Sequence, residues 1–452
     1  MSREKMMNKY LFTTLPSDDL GLLTRSLPIA NALRERGHHI NFCSPGISPR
    51  KLVSEAGFEN VYPDLFSYHI MAGGSKADSI LRIFRSKHPI RDAGILISLF
   101  KHLSTLQTTE IINIDHFMSV FGMWNKALVR ANVEALIQLF NTNNPDVIVD
   151  FWNPFACIAA RVCNIPLITI LQADMHPQSE GFIWWKDTEQ IKYISPILAT
   201  NAVLTDYQLP TIHKIGQLFL GDKTLVMGTP EMDPLPETAK ATYIGPILWQ
   251  KDDGKLPDWV NRLNNDRPVV WLYPGNIEYL KGSKTVFDST TILQACVEAL
   301  GNEELEVVLT TAFHALPEEF LPLPQNFHHT PYLPGLAMAE KSDMLIHHGG
   351  YGSCQTGLYT GKPALILPTF SERESNARRI AAVGAGIYIL PNVDEIGRNK
   401  EIFAEEIRNA VLNILSDSSY AENAKRIGKQ MKGYGGVSES IRQIENFSQT
   451  EN

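Results

Sequence analysis

The chain has 452 residues, of which 44% are hydrophobic and 20% charged, and its formal net charge is −8. This length allows two or three domains with large buried cores. The negative charge argues against a nucleic-acid-binding protein, whose contact surface is normally basic. The five cysteines are scattered and form no C-x-x-C pair, which argues against a disulfide framework or a zinc site. No apolar stretch approaches the roughly 18 residues of a membrane-spanning helix, and we expect a cytoplasmic protein.

Short apolar runs alternate with helical patterns through the first half of the chain, which predicts βαβ units around a parallel sheet. Strands are predicted at Tyr10–Leu15, His39–Cys43, Asp146–Asp150 and Leu167–Leu171, with shorter candidates at Val203–Thr205 and Thr224–Met227. Helices are predicted at Leu22–Arg36, at Pro49–Ala56 with Ser48 as its cap, at Met123–Phe140 and at Pro154–Val162. We expect these elements to form a first domain over residues 1–240.

Between Asp64 and His116 the alternation of strands and helices stops, and the sequence predicts a helical insertion at about 65–135. Its most apolar part, Ile90–Leu106, contains Arg91, Asp92, Lys101 and His102 and therefore predicts an amphipathic helix. An insertion of this length in an α/β domain is more often functional than decorative. Covering one face of the sheet is the alternative.

The second half predicts another parallel sheet. Its strands are expected at Pro268–Tyr273, Leu305–Thr310, Phe327–Thr330, Met344–Ile346, Ala364–Leu367 and Ile387–Ile389. We expect a linker at 241–266, a second domain at 267–437 and a last helix at 438–452. The fold class is therefore α/β.

The most informative motif follows the strand Met344–Ile346. It reads His347-His348-Gly349-Gly350-Tyr351-Gly352-Ser353 and leads into a helical pattern. The glycines allow a ligand to approach the backbone closely, and the first turn of the helix presents unpaired N–H groups that suit a pyrophosphate. His348 stands at the strand end, where its imidazole can donate to a phosphate oxygen. The sequence therefore predicts a phosphate-binding turn.

The motif continues at fixed distances through Gly361-Lys362-Pro363 and Pro368-Thr-Phe-Ser-Glu372-Arg373-Glu-Ser-Asn376-Ala377. The whole pattern resembles the donor-binding signature of family 1 glycosyltransferases, the group that includes the UDP-glycosyltransferases. A lone glycine-rich turn is weak evidence, whereas spacing kept over about thirty residues is specific. The resemblance implies the GT-B fold, in which two Rossmann-like, doubly wound domains face each other across a cleft. Ligands in such sheets bind at the carboxyl ends of the strands.

The resemblance assigns a set of residues to donor binding, namely Gly275, Asn276, Tyr332, His348, Gly350, Gly352, Ser353, Glu372 and Arg373. In this assignment Tyr332 stacks on the uracil and Glu372 accepts hydrogen bonds from the sugar. Arg373 replaces the family's glutamine. Arg373 could bind a carboxylated sugar or a phosphate, or it could pair with Glu374 at the surface. Thr356, with Gln355 beside it, stands where many relatives carry a ribose-binding glutamate. Either residue could hydrogen-bond a ribose hydroxyl, which leaves ribose recognition open, and His347 is expected to pack or cap.

The acceptor side departs further from the family, because the usual catalytic histidine aligns with Leu22, which cannot accept a proton. The candidate bases are instead Asp19, Asp18, His176 and Asp150. Asp19 is preferred because it lies closest to the loop that normally carries the base. Helix capping is the competing explanation for Asp18 and Asp19. The acceptor is expected to lie against Leu22, Trp152, Asp174 and Trp184.

The sequence thus predicts an inverting glycosyltransferase that moves a sugar from a nucleotide diphosphate, with UDP expected, to a small and partly apolar hydroxyl acceptor such as a phenol. No metal and no cofactor are expected beside the nucleotide sugar, and no nucleic-acid partner. One alternative is an acceptor in a membrane lipid or envelope precursor, which would need a basic or apolar patch on the first domain. Arg82, Arg85, Lys87 and Arg91 are the candidates for that patch. The other alternative is a non-catalytic nucleotide-sugar-binding auxiliary protein, which Leu22 permits.

Overall fold

The computed structural model of the protein describes residues 7–18, 20–66, 76–103, 110–251, 254–263, 266–277, 289–393 and 400–450. These residues form two parallel sheets with helices packed on them. The two-domain, Rossmann-like α/β architecture predicted from the sequence is confirmed. No helix in the described ranges is long and apolar enough to cross a membrane.

The first sheet has seven parallel strands in the order β3-β2-β1-β4-β5-β6-β7. They are β1 (Lys9–Thr14), β2 (His39–Cys43), β3 (Glu59–Asn60), β4 (Val147–Phe151), β5 (Leu167–Leu171), β6 (Lys223–Val226) and β7 (Thr242–Tyr243). The strands predicted for β1, β2, β4, β5 and β6 agree within one residue at each end. The predicted linker begins with β7, which pairs with β6.

The second sheet has six parallel strands in the order β10-β9-β8-β11-β12-β13. They are β8 (Val269–Tyr273), β9 (Glu306–Thr310), β10 (Phe327–Thr330), β11 (Met344–His347), β12 (Ala364–Ile366) and β13 (Gly386–Tyr388), and a short hairpin follows at β14 (Asn392–Val393) and β15 (Lys400–Glu401). Val270 and Leu272 pack into the core on one face of this sheet, whereas Val269 and Trp271 pack into the core on the other. Both faces are therefore covered, which explains why these strands are apolar throughout.

The helices of the first half are α1 (Gly21–Glu35), α2 (Ile47–Glu55), α3 (Lys76–Arg85), α4 (Pro89–Leu103), α5 (Ile114–Val120), α6 (Lys126–Asn143), α7 (Pro154–Val162) and α8 (Ile197–Asp206). The prediction of a strand at Val203–Thr205 is wrong, since these residues lie in α8. Val203 and Leu204 are both buried there, and a short apolar run suits a buried helix face as well as a strand. Ser48 is not the cap of α2, because that helix begins at Ile47 and its N-cap is Gly46.

The helices of the second half are α9 (Asp258–Asn261), α10 (Ser289–Leu300), α11 (Gly335–Lys341), α12 (Tyr351–Thr360), α13 (Ser371–Ala382), α14 (Ala404–Ser416), α15 (Ser418–Gly433) and α16 (Val437–Thr450). The last of them, α16, packs against the first domain. Ile441 and Ile444 are buried in the core of the first sheet, and the Ser448 hydroxyl lies 3.0 Å from that of Tyr10.

Each sheet reverses its strand order at one place, between β1 and β4 in the first and between β8 and β11 in the second. Such switch points open a crevice at the carboxyl ends of the strands, where ligands bind. The residues that follow β8 and β11 include Gly275 and His348, and Asp150 lies near the end of β4. The topology therefore gathers candidate site residues at these two positions.

Candidate donor and acceptor site

The glycine-rich turn connects β11 to α12, and its glycines have different surroundings. Gly349 has a φ of +85°, and a Cβ there would lie 2.7 Å from the carbonyl oxygen of Arg373. A Cβ on Gly350, the N-cap of α12, would lie 2.6 Å from His348 Nε2. A Cβ on Gly352 would meet nothing within 4 Å. Gly349 thus lets the turn pack against α13, and Gly350 lets it pack against its own His348. Gly352 leaves the start of the helix open, with the half-buried Ser353 next to it.

The two adjacent histidines of the turn are both buried. His347 Nδ1 accepts a hydrogen bond from the Gly349 backbone N–H at 3.1 Å, a capping contact that agrees with the interpretation from the sequence. Burial lowers the pKa of His347 to about 3. Burial also lowers the pKa of His348 far below its usual range, and the charge of Arg373 adds to this effect. A neutral imidazole has one N–H donor, and a hydrogen bond to the Tyr273 backbone partly opposes the lowering of the His348 pKa. His348 Nδ1 is buried and has no partner among the described residues.

Gly275 and His348, which are 73 residues apart, meet in the structure. Gly275 has a φ of +106°, and a Cβ there would lie 3.2 Å from Cγ of the His348 ring. The ring of Tyr273 packs edge-on against the same imidazole, with 5.2 Å between the ring centres. Asn276 follows and is half-buried. The end of β8 and the glycine-rich turn therefore form one continuous wall.

Glu372 lies in the first turn of α13 and is tied to the glycine-rich turn through Asn376. The Asn376 side-chain N–H₂ donates to Glu372 Oε1 at 2.9 Å and to the Gly349 carbonyl at 3.0 Å. Burial raises the pKa of Glu372, and the nearby charge of Arg373 opposes that shift. Asn376 belongs to the sequence motif but had no predicted role, and the structure gives it the role of positioning Glu372.

Arg373 does not pair with Glu374, so the interpretation of a surface ion pair between them is wrong. Glu374 pairs with Arg378 at 2.7 Å instead. The Arg373 guanidinium lies 4.9 Å from the centre of the Phe370 ring and donates to the Thr369 hydroxyl. A Cβ on Gly349 would lie 3.0 Å from the Arg373 Cβ, so Arg373 borders the glycine-rich turn.

The residues expected to bind the nucleoside are engaged within the protein. Tyr332 stacks on Phe313 with 4.6 Å between ring centres and an interplanar angle of 13°, so stacking on a nucleobase would use its opposite face. The Thr356 hydroxyl donates to the Gly352 carbonyl at 2.9 Å. The Gln355 side chain donates to the Met227 carbonyl at 2.9 Å. Thr356 and Gln355 therefore have intramolecular partners in place of a ribose.

On the acceptor side, Leu22 is buried in the core of the first domain. Asp18 caps a helix, as the competing explanation proposed, but the helix is α2 and not α1. Asp18 Oδ1 accepts from the Ser48 backbone N–H at 2.7 Å, and Oδ2 accepts from the Ser48 hydroxyl at 3.1 Å. This contact accounts for the carboxylate without a catalytic role. Asp19 lies outside the described residues.

Asp150 is completely buried at the end of β4. It accepts hydrogen bonds from the Thr13 hydroxyl at 2.5 Å and from the Asn153 backbone N–H at 3.1 Å. Burial raises the pKa of Asp150 to about 7. The carboxyl group therefore holds the turn into α7, and this placement disfavours its predicted role as the base. Trp152, in the same turn, has a φ of +66°, and its buried indole N–H has no partner among the described residues.

His176 is buried just beyond β5 and retains one nitrogen for chemistry. Its Nδ1 accepts from the Gln178 backbone N–H at 3.2 Å. Its Nε2 is buried and has no hydrogen-bond partner in the part of the chain that the structure describes. Burial lowers the pKa of His176 below its usual value. Because Nδ1 accepts a hydrogen bond, the neutral ring carries its proton on Nε2. Nε2 can accept a proton only in the other tautomer, in which Nδ1 gives up its bond from Gln178.

The other two acceptor candidates contact the second domain. Asp174 Oδ1 lies 2.8 Å from Nη2 of Arg379, and the Trp184 indole N–H donates to the Ser375 hydroxyl at 3.0 Å. Arg379 and Ser375 both belong to α13, the helix that carries Glu372. The segment after β5 therefore faces the predicted sugar-binding helix across the cleft.

A buried polar cluster at this interface was missed by the sequence reasoning. The Tyr351 hydroxyl, at the start of α12, bonds to the Met227 carbonyl and lies 3.0 Å from Asp233 Oδ2. Arg379 Nη1 lies 4.0 Å from Asp233 Oδ1, and burial raises the pKa of Asp233 to about 7. Only Tyr351 lies in a recognisable motif. Asp233 gives no local signal, because its partners come from the other domain.

Known proteins resemble this chain in sequence and in fold. Residues 294–446 match the family described as "Erythromycin biosynthesis protein CIII-like, C-terminal domain". The PGL/p-HBAD biosynthesis glycosyltransferase of Mycobacterium tuberculosis (strain ATCC 25177 / H37Ra) is 26% identical over 329 residues, which cover 68% of this chain and 71% of the relative. The NDP-glycosyltransferase YjiC of Bacillus subtilis (strain 168) is 24% identical over 319 residues, which cover 69% of this chain and 75% of the relative.

Solved structures agree over almost the whole chain. Spinosyn forosaminyltransferase SpnP superposes with a TM-score of 0.66 at 18% identity, covering 98% of this chain and 100% of that one. Glycosyltransferase VinC, solved in complex with DTDP, has a TM-score of 0.65 at 18% identity, with the same coverage. The family match, the curated relatives and the motif from His348 to Ala377 agree with this fold. The chain is a glycosyltransferase with the GT-B fold and is similar to family 1 of these enzymes.

Proposed function

We propose that the protein transfers a sugar, with inversion at the anomeric carbon, from a nucleoside diphosphate to a hydroxyl group of a small and partly apolar acceptor. The observation that carries this proposal is the open start of α12. Gly352 faces empty space there, with the His348 imidazole and the Arg373 guanidinium nearby. Helix N-termini bind phosphate groups through their free N–H groups and their dipole.

The leaving group explains why these groups converge. As the bond to the sugar breaks, negative charge develops on the diphosphate, and donors already aimed at it stabilise the transition state. The backbone N–H groups of α12 and the neutral His348 supply hydrogen bonds, and Arg373 supplies a positive charge. Glu372, held by Asn376, accepts hydrogen bonds from the sugar hydroxyls.

The nucleotide is UDP or thymidine diphosphate. The sequence resemblance favours UDP, and two proteins of the same fold, VinC and the spinosyn rhamnosyltransferase SpnG, were solved with thymidine diphosphates. Stacking on an aromatic ring tolerates any base, so the opposite face of Tyr332 suits both nucleotides. Calorimetric titration with UDP and with thymidine diphosphate shows which of the two nucleotides the protein binds more tightly.

The experiment that tests the donor site replaces His348 with Ala. Loss of a hydrogen bond to a charged phosphate should weaken nucleotide binding by about 1.5–3 kcal/mol. His328→Ala is the matched control. His328 lies in β10, where it pairs with Glu306 of β9, and two strands separate β10 from β11, which precedes the glycine-rich turn. Equal affinity of His348→Ala and wild type for both nucleotides would refute the donor site.

A second experiment tests transfer and sugar recognition with a panel of UDP- and dTDP-sugars. Glu372→Ala should lower turnover and leave the affinity for the free nucleotide nearly unchanged, because its contact is with the sugar. Arg373→Gln should weaken nucleotide binding if the guanidinium contacts phosphate, or change donor preference if it contacts a sugar carboxylate. Tight nucleotide binding without transfer or donor hydrolysis for any donor would favour the auxiliary protein.

A further inference from the structure

The outer face of the helical insertion exposes an unusual amount of apolar surface. Five large side chains of α3 and α4 lie there, namely Ile80 (48% exposed), Leu81 (53%), Phe84 (78%), Ile90 (90%) and Ile97 (69%). Single exposed apolar residues are normal, but a contiguous patch marks a binding surface. We call these five residues the apolar patch.

The spacing shows that the apolar patch is a second face of helices that are already anchored. On α4, Ile90, Gly94 and Ile97 recur at helical intervals on the exposed side. Ile95 and Leu99 lie on the other side and are buried in the core of the first domain. On α3, Ile83 is buried while its neighbours are exposed. Packing of the insertion onto its own domain therefore does not require the apolar patch.

Basic residues lie at the end of α3 and in the turn that follows it, between Phe84 and Ile90 of the apolar patch in the sequence. Arg85, Lys87 and His88 are all exposed there. Two other basic residues are compensated, since Arg82 pairs with Asp64 and Arg91 lies 3.0 Å from Asp92. On a chain with a net charge of −8, a basic turn set among apolar side chains is complementary to an anionic lipid surface.

The insertion also leads directly into the cleft. The chain that follows α4 is described again from residue 110, where the Ile111 backbone N–H donates to the Ser371 hydroxyl at 2.9 Å. Ser371 precedes Glu372, the residue proposed to bind the sugar. The Ile112 carbonyl accepts from the Phe182 backbone N–H at 2.9 Å, next to Trp184. A surface that holds the insertion would therefore lie beside the acceptor side of the cleft.

We propose that the apolar patch and the basic turn dock this enzyme on the surface of an anionic bilayer, so that the cleft receives a hydroxyl acceptor held in the membrane. This inference rests on the proposed function and narrows its acceptor to an amphipathic, lipid-borne hydroxyl compound. An interfacial element of this kind inserts apolar side chains near the headgroups and is strengthened by basic residues.

The test is co-sedimentation of the full-length protein with vesicles of pure phosphatidylcholine and of phosphatidylcholine with phosphatidylglycerol. We expect binding to the anionic vesicles that weakens as salt is added. Each basic residue near such a surface contributes roughly fivefold to partitioning, so Arg85→Ala/Lys87→Ala should bind about twenty-fivefold more weakly. Phe84→Ser/Ile90→Ser should also lose binding to the anionic vesicles.

Two control variants match these changes. Leu198→Ser removes an equally exposed apolar residue from α8, and Lys425→Ala/Lys429→Ala removes two exposed basic residues from α15. Both should bind vesicles like wild type. Retained binding in both patch variants, or an equal loss in the controls, would overturn the proposal. So would a wild-type dimer, seen by light scattering, that Phe84→Ser/Ile90→Ser makes monomeric, because a second copy would then cover the patch.

Calorimetry on the same variants separates this proposal from the proposed function. Variants that lose vesicle binding but keep their affinity for UDP or thymidine diphosphate would support docking as a separate property of the insertion. Vesicle binding without any nucleotide binding would contradict the proposed function and the acceptor inferred from it. No vesicle binding with intact nucleotide binding would contradict docking alone.

Discussion

Arg379 of the second domain and Asp174 of the first form an ion pair of 2.8 Å between Nη2 and Oδ1, and both side chains are almost entirely buried. The same guanidinium donates to the Met232 carbonyl at 3.2 Å and lies 4.0 Å from Asp233. One positive charge therefore faces two carboxyl groups across the cleft. Since Arg379 is on the helix that carries Glu372, this contact fixes the helix proposed to bind the sugar relative to the first domain.

Removing one partner of this ion pair should lower the free energy of unfolding. Asp174→Ala leaves a buried guanidinium with weaker compensation, and losing one member of a buried pair typically costs about 3–5 kcal/mol. Asp174→Ala/Arg379→Met removes both charges and should cost clearly less than the sum of the single changes. Chemical denaturation of wild type, Asp174→Ala, Arg379→Met and the double variant gives the coupling energy between the two residues. If the two single changes add within about 0.5 kcal/mol, the residues act independently.

Asp233 should make the stability of the protein depend on pH. Burial raises the pKa of its carboxyl group to about 7, so the folded state binds this proton more tightly than the unfolded state. The stability from this group is full below about pH 4 and is lost as the pH rises towards 7. The Asn side chain of Asp233→Asn stays neutral at every pH. The variant therefore lacks the pH dependence that Asp233 gives the free energy of unfolding, which is up to about 1.4 kcal/mol per pH unit.

Thermal melts between pH 5 and 7.5 check this prediction. The melting temperature of Asp233→Asn should rise relative to that of wild type as the pH increases. Glu180→Gln changes an exposed carboxylate in the first domain and should show no such trend. A difference between Asp233→Asn and wild type that is constant with pH would mean that Asp233 does not titrate in this range.

The sequence was sufficient for features whose partners are near in the chain. The turn from His348 to Gly352 was predicted because strand, glycines and helix are consecutive. The apolar runs placed the strands of both sheets within one residue except β3 and β7, although the run at Val203–Thr205 is helical. Contacts between distant segments were not predictable. Asp18 caps a helix that starts 29 residues later at Ile47, and Asp233 meets Arg379 only after both domains have folded. Composition and spacing carry no information on such contacts.

Gly352 should separate folding from nucleotide binding. A methyl group there meets nothing in the protein, and Ala is more favourable than Gly within a helix by about 0.5–1 kcal/mol. Gly352→Ala should therefore fold at least as stably as wild type. The methyl group would occupy the space proposed for the pyrophosphate, and such crowding costs about 1–3 kcal/mol, which calorimetry would show as weaker binding.

Gly433→Ala is the matched control for this change. Gly433 also lies in a helix, α15, and also has open space around its Cβ position. It should gain stability and bind nucleotide like wild type. Wild-type affinity in Gly352→Ala for UDP and thymidine diphosphate would mean that the pyrophosphate does not approach this residue.

The acceptor proton has to be removed by a residue other than Leu22, and two candidates are left. Asp19 lies outside the described residues and stays the prediction from the sequence. His176 has a buried Nε2 without a hydrogen-bond partner among the described residues. General-base assistance is worth about 10²–10⁴-fold, so Asp19→Asn or His176→Ala should lose that much turnover and still bind nucleotide. Asp18→Asn should keep its turnover and most of its stability, because the Asn side-chain oxygen can still accept from the Ser48 backbone N–H.

The pH profile of turnover provides a second criterion. Burial lowers the pKa of His176, so a reaction that depends on this imidazole should keep its rate to a lower pH than one that depends on an ordinary histidine. His176→Ala should abolish the decline at low pH together with most of the turnover. Should Asp19→Asn and His176→Ala both retain near-full turnover, neither residue is the base. The acceptor would then be acidic enough, like a phenol, to react without one.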